Sequence, residues 1–164
     1  MQTQIITVLY GLQMTQNLND FLISHNNQRY ATKNGSRIHA LLKHVVIDAT
    51  FGDVGDMEIV KKIQQHPELI PYFNKSAQTE VPIAGYINGV FISRRLDRIL
   101  INHDTKKIVF IDYKTDTNKN IFIDKYTNQL QEYAHLLKSA YPDYKISGFI
   151  LWLQDWQLEQ IISV

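Results

Sequence analysis

Cysteine is absent from the 164 residues. Disulfides, zinc–thiolate sites and cysteine-ligated iron–sulfur clusters are therefore excluded. Glycine and proline are scarce, at 7 and 4, so each one that occurs marks a turn or a boundary. Neither sign of charge predominates: 17 Lys and Arg stand against 16 Asp and Glu, for a formal net charge of +1. Bulk electrostatics thus neither demands nor forbids a nucleic-acid partner. No apolar run approaches the ~20 residues of a membrane span, and the N-terminus has no signal-peptide pattern. A cytoplasmic chain without a membrane partner is the expectation. There is no Walker A pattern, hence no motor within the chain, and nothing resembles a groove-reading helix. What remains is one domain's worth of ordinary globular sequence, 45% hydrophobic and 20% charged.

The informative stretch runs from Gln78 to Thr115. Asn88-Gly89, flanked by Ile87 and Val90, predicts a type I′ hairpin. If 87 pairs with 90, Glu80 lies opposite Asp97. A second turn at His103-Asp104-Thr105-Lys106 pairs Ile101 with Ile108 and sets Asp97 opposite Asp112. Period-2 alternation then puts Lys114 on the face of Asp112. Three acids from three strands fall in one row, beside a core face of Ile99, Ile101, Ile108 and Phe110. Like charges so placed repel unless a cation or protons neutralise them. A hard divalent ion, Mg²⁺ or Mn²⁺, suits such oxygen donors. The plainer reading has one acid in solvent and another paired with Arg94, Arg95 or Arg98. Those arginines, with Lys106, Lys107, Lys114, Lys119 and Lys125, are expected to crowd around the site, where they could meet phosphates.

Elsewhere the signals are structural. Residues 1–34 carry no chemical motif and read as a peripheral segment. Ser36 reads as an N-cap, followed by Ile38, Leu41, Leu42, Val45 and Ala49 at helical spacing. His39 lies at the margin of that stripe, where a lone histidine is ordinarily packing. Two helices are expected at 56–65 and 67–74, with Asp53, Asp56 and Glu58 as solvated helix-start charges lacking Ca²⁺-loop spacing. After a polar connection at 114–120, a helix over 124–141 carries Leu130, Ala134 and Leu137 as its buried stripe. Tyr126, Gln129 and Tyr133 share a neighbouring face. Residues 144–153 form an apolar run suited to a strand covered on both faces, and a last strand is expected over 156–164.

"RLDRI…IVFIDYKT", with Asp97, Asp112, Tyr113 and Lys114, resembles the PD-(D/E)XK nuclease signature, and in particular its RecB branch. Gly35-Ser36-Arg37-Ile38-His39, Glu80 and Tyr126-x-x-Gln129-Leu130-x-x-Tyr133 resemble the outlying pieces of that branch. The stretch Ser93-Arg94-Arg95-Leu96 departs from it, because glycine is usual before the first acid. The resemblance implies an α/β fold with a restriction-endonuclease-like core over 35–164: a mixed central sheet with an antiparallel meander, flanked by helices. It implies a Mg²⁺- or Mn²⁺-dependent deoxyribonuclease, without an iron–sulfur cluster. The exonuclease domain of a RecB/AddA-type helicase-nuclease in double-strand-break repair is the reading it favours. Asp97, Asp112, Lys114, Gln129 and Tyr133 would then be catalytic. His39, Asp97, Asp112 and the Tyr113 carbonyl would ligate metal, with Glu80 a further candidate. The implied partners are DNA, as single strands or duplex ends, and a helicase module in cis or in trans. A non-catalytic DNA- or protein-binding module, a free-standing restriction-type endonuclease, and a hydrolase of small phosphate esters are the alternatives.

Overall fold

Asn88 and Gly89 both take positive φ, 51° and 79°, as a type I′ turn requires. The turn joins β1 (Gln78–Ile87) to β2 (Val90–Asn102) with Ile87 opposite Val90 and Thr79 opposite Arg98. The second turn occupies 103–106, where the Asn102 side chain accepts from the Thr105 N–H at 2.8 Å. It leads into β3 (Lys107–Lys114), with Ile101 opposite Ile108 and Arg98 opposite Ile111. Both expected registers are observed.

The computed structural model describes residues 35–164; the expectation for 1–34 lies outside the described residues. Residues Arg37–Val164 form one compact unit. Residues 35–42 are helical (α1), and α2 spans Met57–Gln64, capped by Asp56, whose carboxylate accepts from the N–H groups of Glu58 and Ile59. After β3, α3 (Lys119–Ala140) crosses to β4 (Lys145–Trp152), which pairs parallel to β3. An antiparallel β5 (Gln157–Ser163) closes the order β1-β2-β3-β4-β5. The fold is α/β, with a five-stranded mixed sheet and, among the described residues, three α-helices. None of those helices is long and apolar enough to cross a membrane.

One face of the sheet packs under α3: Ile99, Ile108, Phe110, Ile146, Ile150 and Trp152 meet Tyr126, Leu130, Tyr133, Ala134 and Leu137. The other face sends Ile111, Tyr113, Leu151 and Leu153 against Leu42, Val45, Ile59, Val60, Ile63, Leu69 and Phe73. β4 is thus covered on both sides, as its unbroken apolar run requires. Gly148 sits where a Cβ would overlap the ring of buried Phe110. Gly148→Ala is expected to lower stability by about 1–3 kcal/mol through overpacking. Urea denaturation measures this; an unchanged midpoint would contradict the tight fit.

Three expected elements differ. Gly35 and Ser36 are already helical, so Ser36 is not an N-cap, and α1 ends at Leu42 rather than near Ala49. Val45 is buried after a turn, Val46 bridges Val54, and Ala49 is exposed. Helical spacing continued by chance through a loop. The region 67–74 is a turn and a short 3₁₀ segment, Ile70–Tyr72, with proline near its start. α3 begins five residues before its expected start, because Phe122 and Ile123 also pack on the core under it.

Candidate functional site

Strict alternation fails in β2, and the site lies there. Leu96 and Ile99 both face α3, although three positions apart on a regular strand they would point to opposite faces. Across the ladder Glu80 takes φ 56°, a left-handed backbone uncommon for a side chain of this type. The β2–β3 ladder has its last pair at Arg98–Ile111. Beyond it the Tyr113 N–H donates to Asp97 Oδ2 at 2.8 Å, so a carboxylate occupies the position of a strand carbonyl. In an extended strand the N–H and C=O of one residue project to the same side. The Tyr113 carbonyl therefore projects toward β2, where the ladder has opened.

Asp97 Oδ1 lies 3.5 Å from Nδ1 of His39, whose ring also meets that of Tyr113 edge-on, centroids 5.4 Å apart. Burial lowers the proton affinity of His39, but the hydrogen bond and charge of Asp97 and the charge of Asp112 outweigh it, and its pKa is raised. Asp112, next on the row, is 3% exposed. Burial pushes its carboxyl upward, Lys114 pulls it down, and the charge of Asp97 pushes it up again; the net direction is up. Lys114 Nζ is in ion-pair contact with Asp112 Oδ2, yet that oxygen has no partner in hydrogen-bond geometry.

Lys114 is held from the α3 side. Its Nζ donates to Gln129 Oε1 at 3.1 Å and lies 4.2 Å from the centre of the Tyr126 ring. Gln129 Nε2 in turn donates to the Tyr133 hydroxyl. Burial raises the Tyr133 pKa to about 12, with the charge of Asp112 adding to the effect. The phenol therefore stays protonated at neutral pH. The 126, 129 and 133 positions share a helix face, as their spacing predicts.

The structure thus brings together His39, Asp97, Asp112, Lys114, Gln129 and Tyr133. Glu80 is not brought in: its carboxylate pairs with Arg95 at 2.9 Å. The positive φ at Glu80 takes it out of the simple alternation that placed it in the row. Among the described residues, no three His, Asp or Glu side chains stand as a ready metal cage. The donor chemistry nonetheless fits a hard cation: a buried carboxylate, a second carboxylate, and a backbone carbonyl at an opened ladder.

The expected crowd of cations is mostly elsewhere. Arg98 is buried on the opposite face. Its Nε donates to the Tyr113 hydroxyl at 2.7 Å, its Nη2 to the carbonyls of Leu42 and Val45 at 2.8 and 3.2 Å, and its plane lies 4.1 Å from the centre of Phe73. It is a strut between the sheet and the end of α1. Lys106 and Lys107 lie at the other end of β3, about 20 Å from Lys114 by strand rise, and Lys106 pairs with Asp143 at 3.7 Å. Lys119 is engaged by Asp155 and Gln157, both at 2.6 Å, and Arg94 by Glu132 at 2.8 Å. One neighbour escaped sequence reasoning: Asp116 accepts from the Tyr126 hydroxyl, and the polar run after Lys114 was its signal. Tyr126, named with Gln129 and Tyr133 but given no role of its own, carries Lys114 on its face.

No protein-family model matches the chain, and no curated protein does. Among solved structures the chain is similar to the crystal structure of SSO0001, at 20% identity and a TM-score of 0.38. The match covers 64% of this chain and 49% of that one, so the chain spans about half the length of that structure. A likeness this distant carries no argument about function.

Proposed function

We propose that the chain is a divalent-cation-dependent nuclease of the PD-(D/E)XK type that hydrolyses DNA phosphodiester bonds, and that it serves as a RecB/AddA-type nuclease domain. One observation carries this reading. A histidine, two acids, a lysine and a glutamine–tyrosine pair, drawn from α1, β2, β3 and α3, converge around the buried Asp112 carboxylate, whose Oδ2 meets the Lys114 ammonium. Packing alone gives no reason to bury this carboxylate and its lysine, since taking an ion pair out of water is costly.

Asp97, Asp112 and the Tyr113 carbonyl, with His39 at the edge, are the groups that would hold the cation. When bound, it would neutralise phosphate charge and make a water molecule more acidic. The rest is done by the chain. The Lys114 ammonium, poised by Gln129 and the Tyr126 face, orients the attacking water or stabilises charge on the phosphoryl oxygens. The Tyr133 hydroxyl accepts from the Gln129 amide, fixing its orientation. The His39 imidazole braces the Asp97 carboxylate from α1. In the reaction water adds to phosphorus, the bond to the leaving oxygen breaks, and that oxygen is protonated.

The test has two arms. Linear DNA incubated with Mg²⁺, Mn²⁺ or EDTA is expected to be degraded only with metal. Independently, saturating Mn²⁺ should raise the melting temperature of the wild type by several degrees, about 2.7 kcal/mol at one hundred times Kd. Asp97→Asn should lose that increase. Degradation in EDTA, or equal stabilisation of the variant, would sink the proposal.

A further inference from the structure

The outer half of the β1–β2 hairpin extends past the last β2–β3 pair. One of its faces is covered by α3, through Leu136 near Gly85 and Glu132 on Arg94. Among the described residues nothing packs on the other face. It presents Pro82, Ala84 and Tyr86 from β1 and Phe91, Ser93 and Arg95 from β2, all exposed. Tyr86 and Phe91 are cross-strand partners, 69% and 60% exposed, with ring centroids 5.5 Å apart. Neither belongs to a core cluster, so burial does not explain two adjacent aromatic rings. Beyond them Ala84 and Ser93 face each other, and their short side chains leave the surface flat. Arg95 follows on the same face; its side chain is 68% exposed, and only Nη1 is engaged, by Glu80. Two residues later comes Asp97.

We propose that this face is a track for single-stranded nucleic acid, with bases stacking on Tyr86 and Phe91 and a phosphate meeting Arg95 on the way to the acid site. The proposal rests on the nuclease reading and adds the substrate's strandedness. Aromatic rings offer π-faces that only unpaired bases can meet flat, and stacking of this kind tolerates any sequence. Phe91 to Asp97 is about 20 Å by strand rise, a span of several nucleotides. The arginine supplies the charge complementarity that a protein-docking apolar patch would not need.

Binding is measured without catalysis, by fluorescence anisotropy of a labelled oligothymidylate of about twelve nucleotides in EDTA. The double variant Tyr86→Ala/Phe91→Ala is expected to bind at least about tenfold more weakly, and Tyr86→Phe within about twofold of wild type. A blunt duplex of the same length should bind more weakly than the single strand and respond less to the double variant. Both truncated side chains are exposed, and a melting curve matching that of the wild type verifies the fold. Unchanged oligothymidylate binding by the double variant overturns the track, as does an equal loss for blunt duplex. Aromatic-dependent binding without metal-dependent cleavage keeps the track and rejects the nuclease; cleavage indifferent to the aromatic pair does the reverse.

Discussion

Asp112→Asn and Lys114→Met should each reduce metal-dependent DNA cleavage by at least about 10²–10³-fold, with the fold retained. Asparagine keeps the shape of Asp112 but removes the charge that a cation or the Lys114 ammonium would meet. Methionine keeps much of the Lys114 stem against Tyr126 while deleting the ammonium. Both changes strike the same pair, in contact through Asp112 Oδ2, so the double variant should be little worse than either single one. Gel-based degradation of linear DNA measures the loss, and far-ultraviolet circular dichroism verifies folding. Folded variants that cleave as the wild type does would remove both residues from the chemistry. His39→Ala should cost less, because His39 stands at the edge of the site, its Nδ1 3.5 Å from Asp97.

Replacement of Arg98 by methionine should destabilise the chain by about 2–4 kcal/mol, judged from the ~1–3 kcal/mol cost of each buried polar group left unpaired. Among the described residues the guanidinium has no acid partner; it serves the Leu42 and Val45 carbonyls and the Tyr113 hydroxyl and lies over Phe73. Methionine avoids burying a cation, which offsets part of the loss, but it strands those acceptors. Arg98→Lys should rescue little, because an ammonium cannot reproduce the fixed fork that reaches acceptors on separate segments. The damage should extend to the site. Leu42 closes the turn after His39, and Thr79 holds the neighbouring Lys43 carbonyl at 3.3 Å. Losing the strut loosens the end of α1 and the placement of its imidazole. Urea denaturation and hydrogen exchange over residues 39–45 measure the two effects. A change below about 0.5 kcal/mol would show that Arg98 is not a strut.

Much of the site could be read directly from the chain, because short-range chemistry controls it. Asn88-Gly89 can form few turns other than type I′, and the length of the 103–106 loop sets the next register. Those two turns set the β2–β3 register that carries Asp97 toward the end of β3 and puts Lys114 on the face of Asp112. The four-residue step from Gln129 to Tyr133 likewise keeps both on one face of any helix. The end of α1 was not legible in the same way. A run of apolar residues at helical spacing continues to Ala49, and only the packing of Val45 and the Val46–Val54 bridge shows where the helix stops.

What the amino-acid sequence determined by itself is the order of elements and the hairpin registers, consequences of turn geometry and local periodicity, while His39, Gln129 and Tyr133 were implied as site residues by the resemblance. Tertiary structure alone decided which cations matter. Arg98 was drawn through the sheet to carbonyls more than fifty positions away in the chain, and Glu80 was turned aside to Arg95. It also decided where β2 parts from β3, so that the Asp97 side chain takes up the Tyr113 N–H. Such outcomes depend on which distant groups a buried charge can reach once the layers close, and that competition leaves no trace in spacing along the chain.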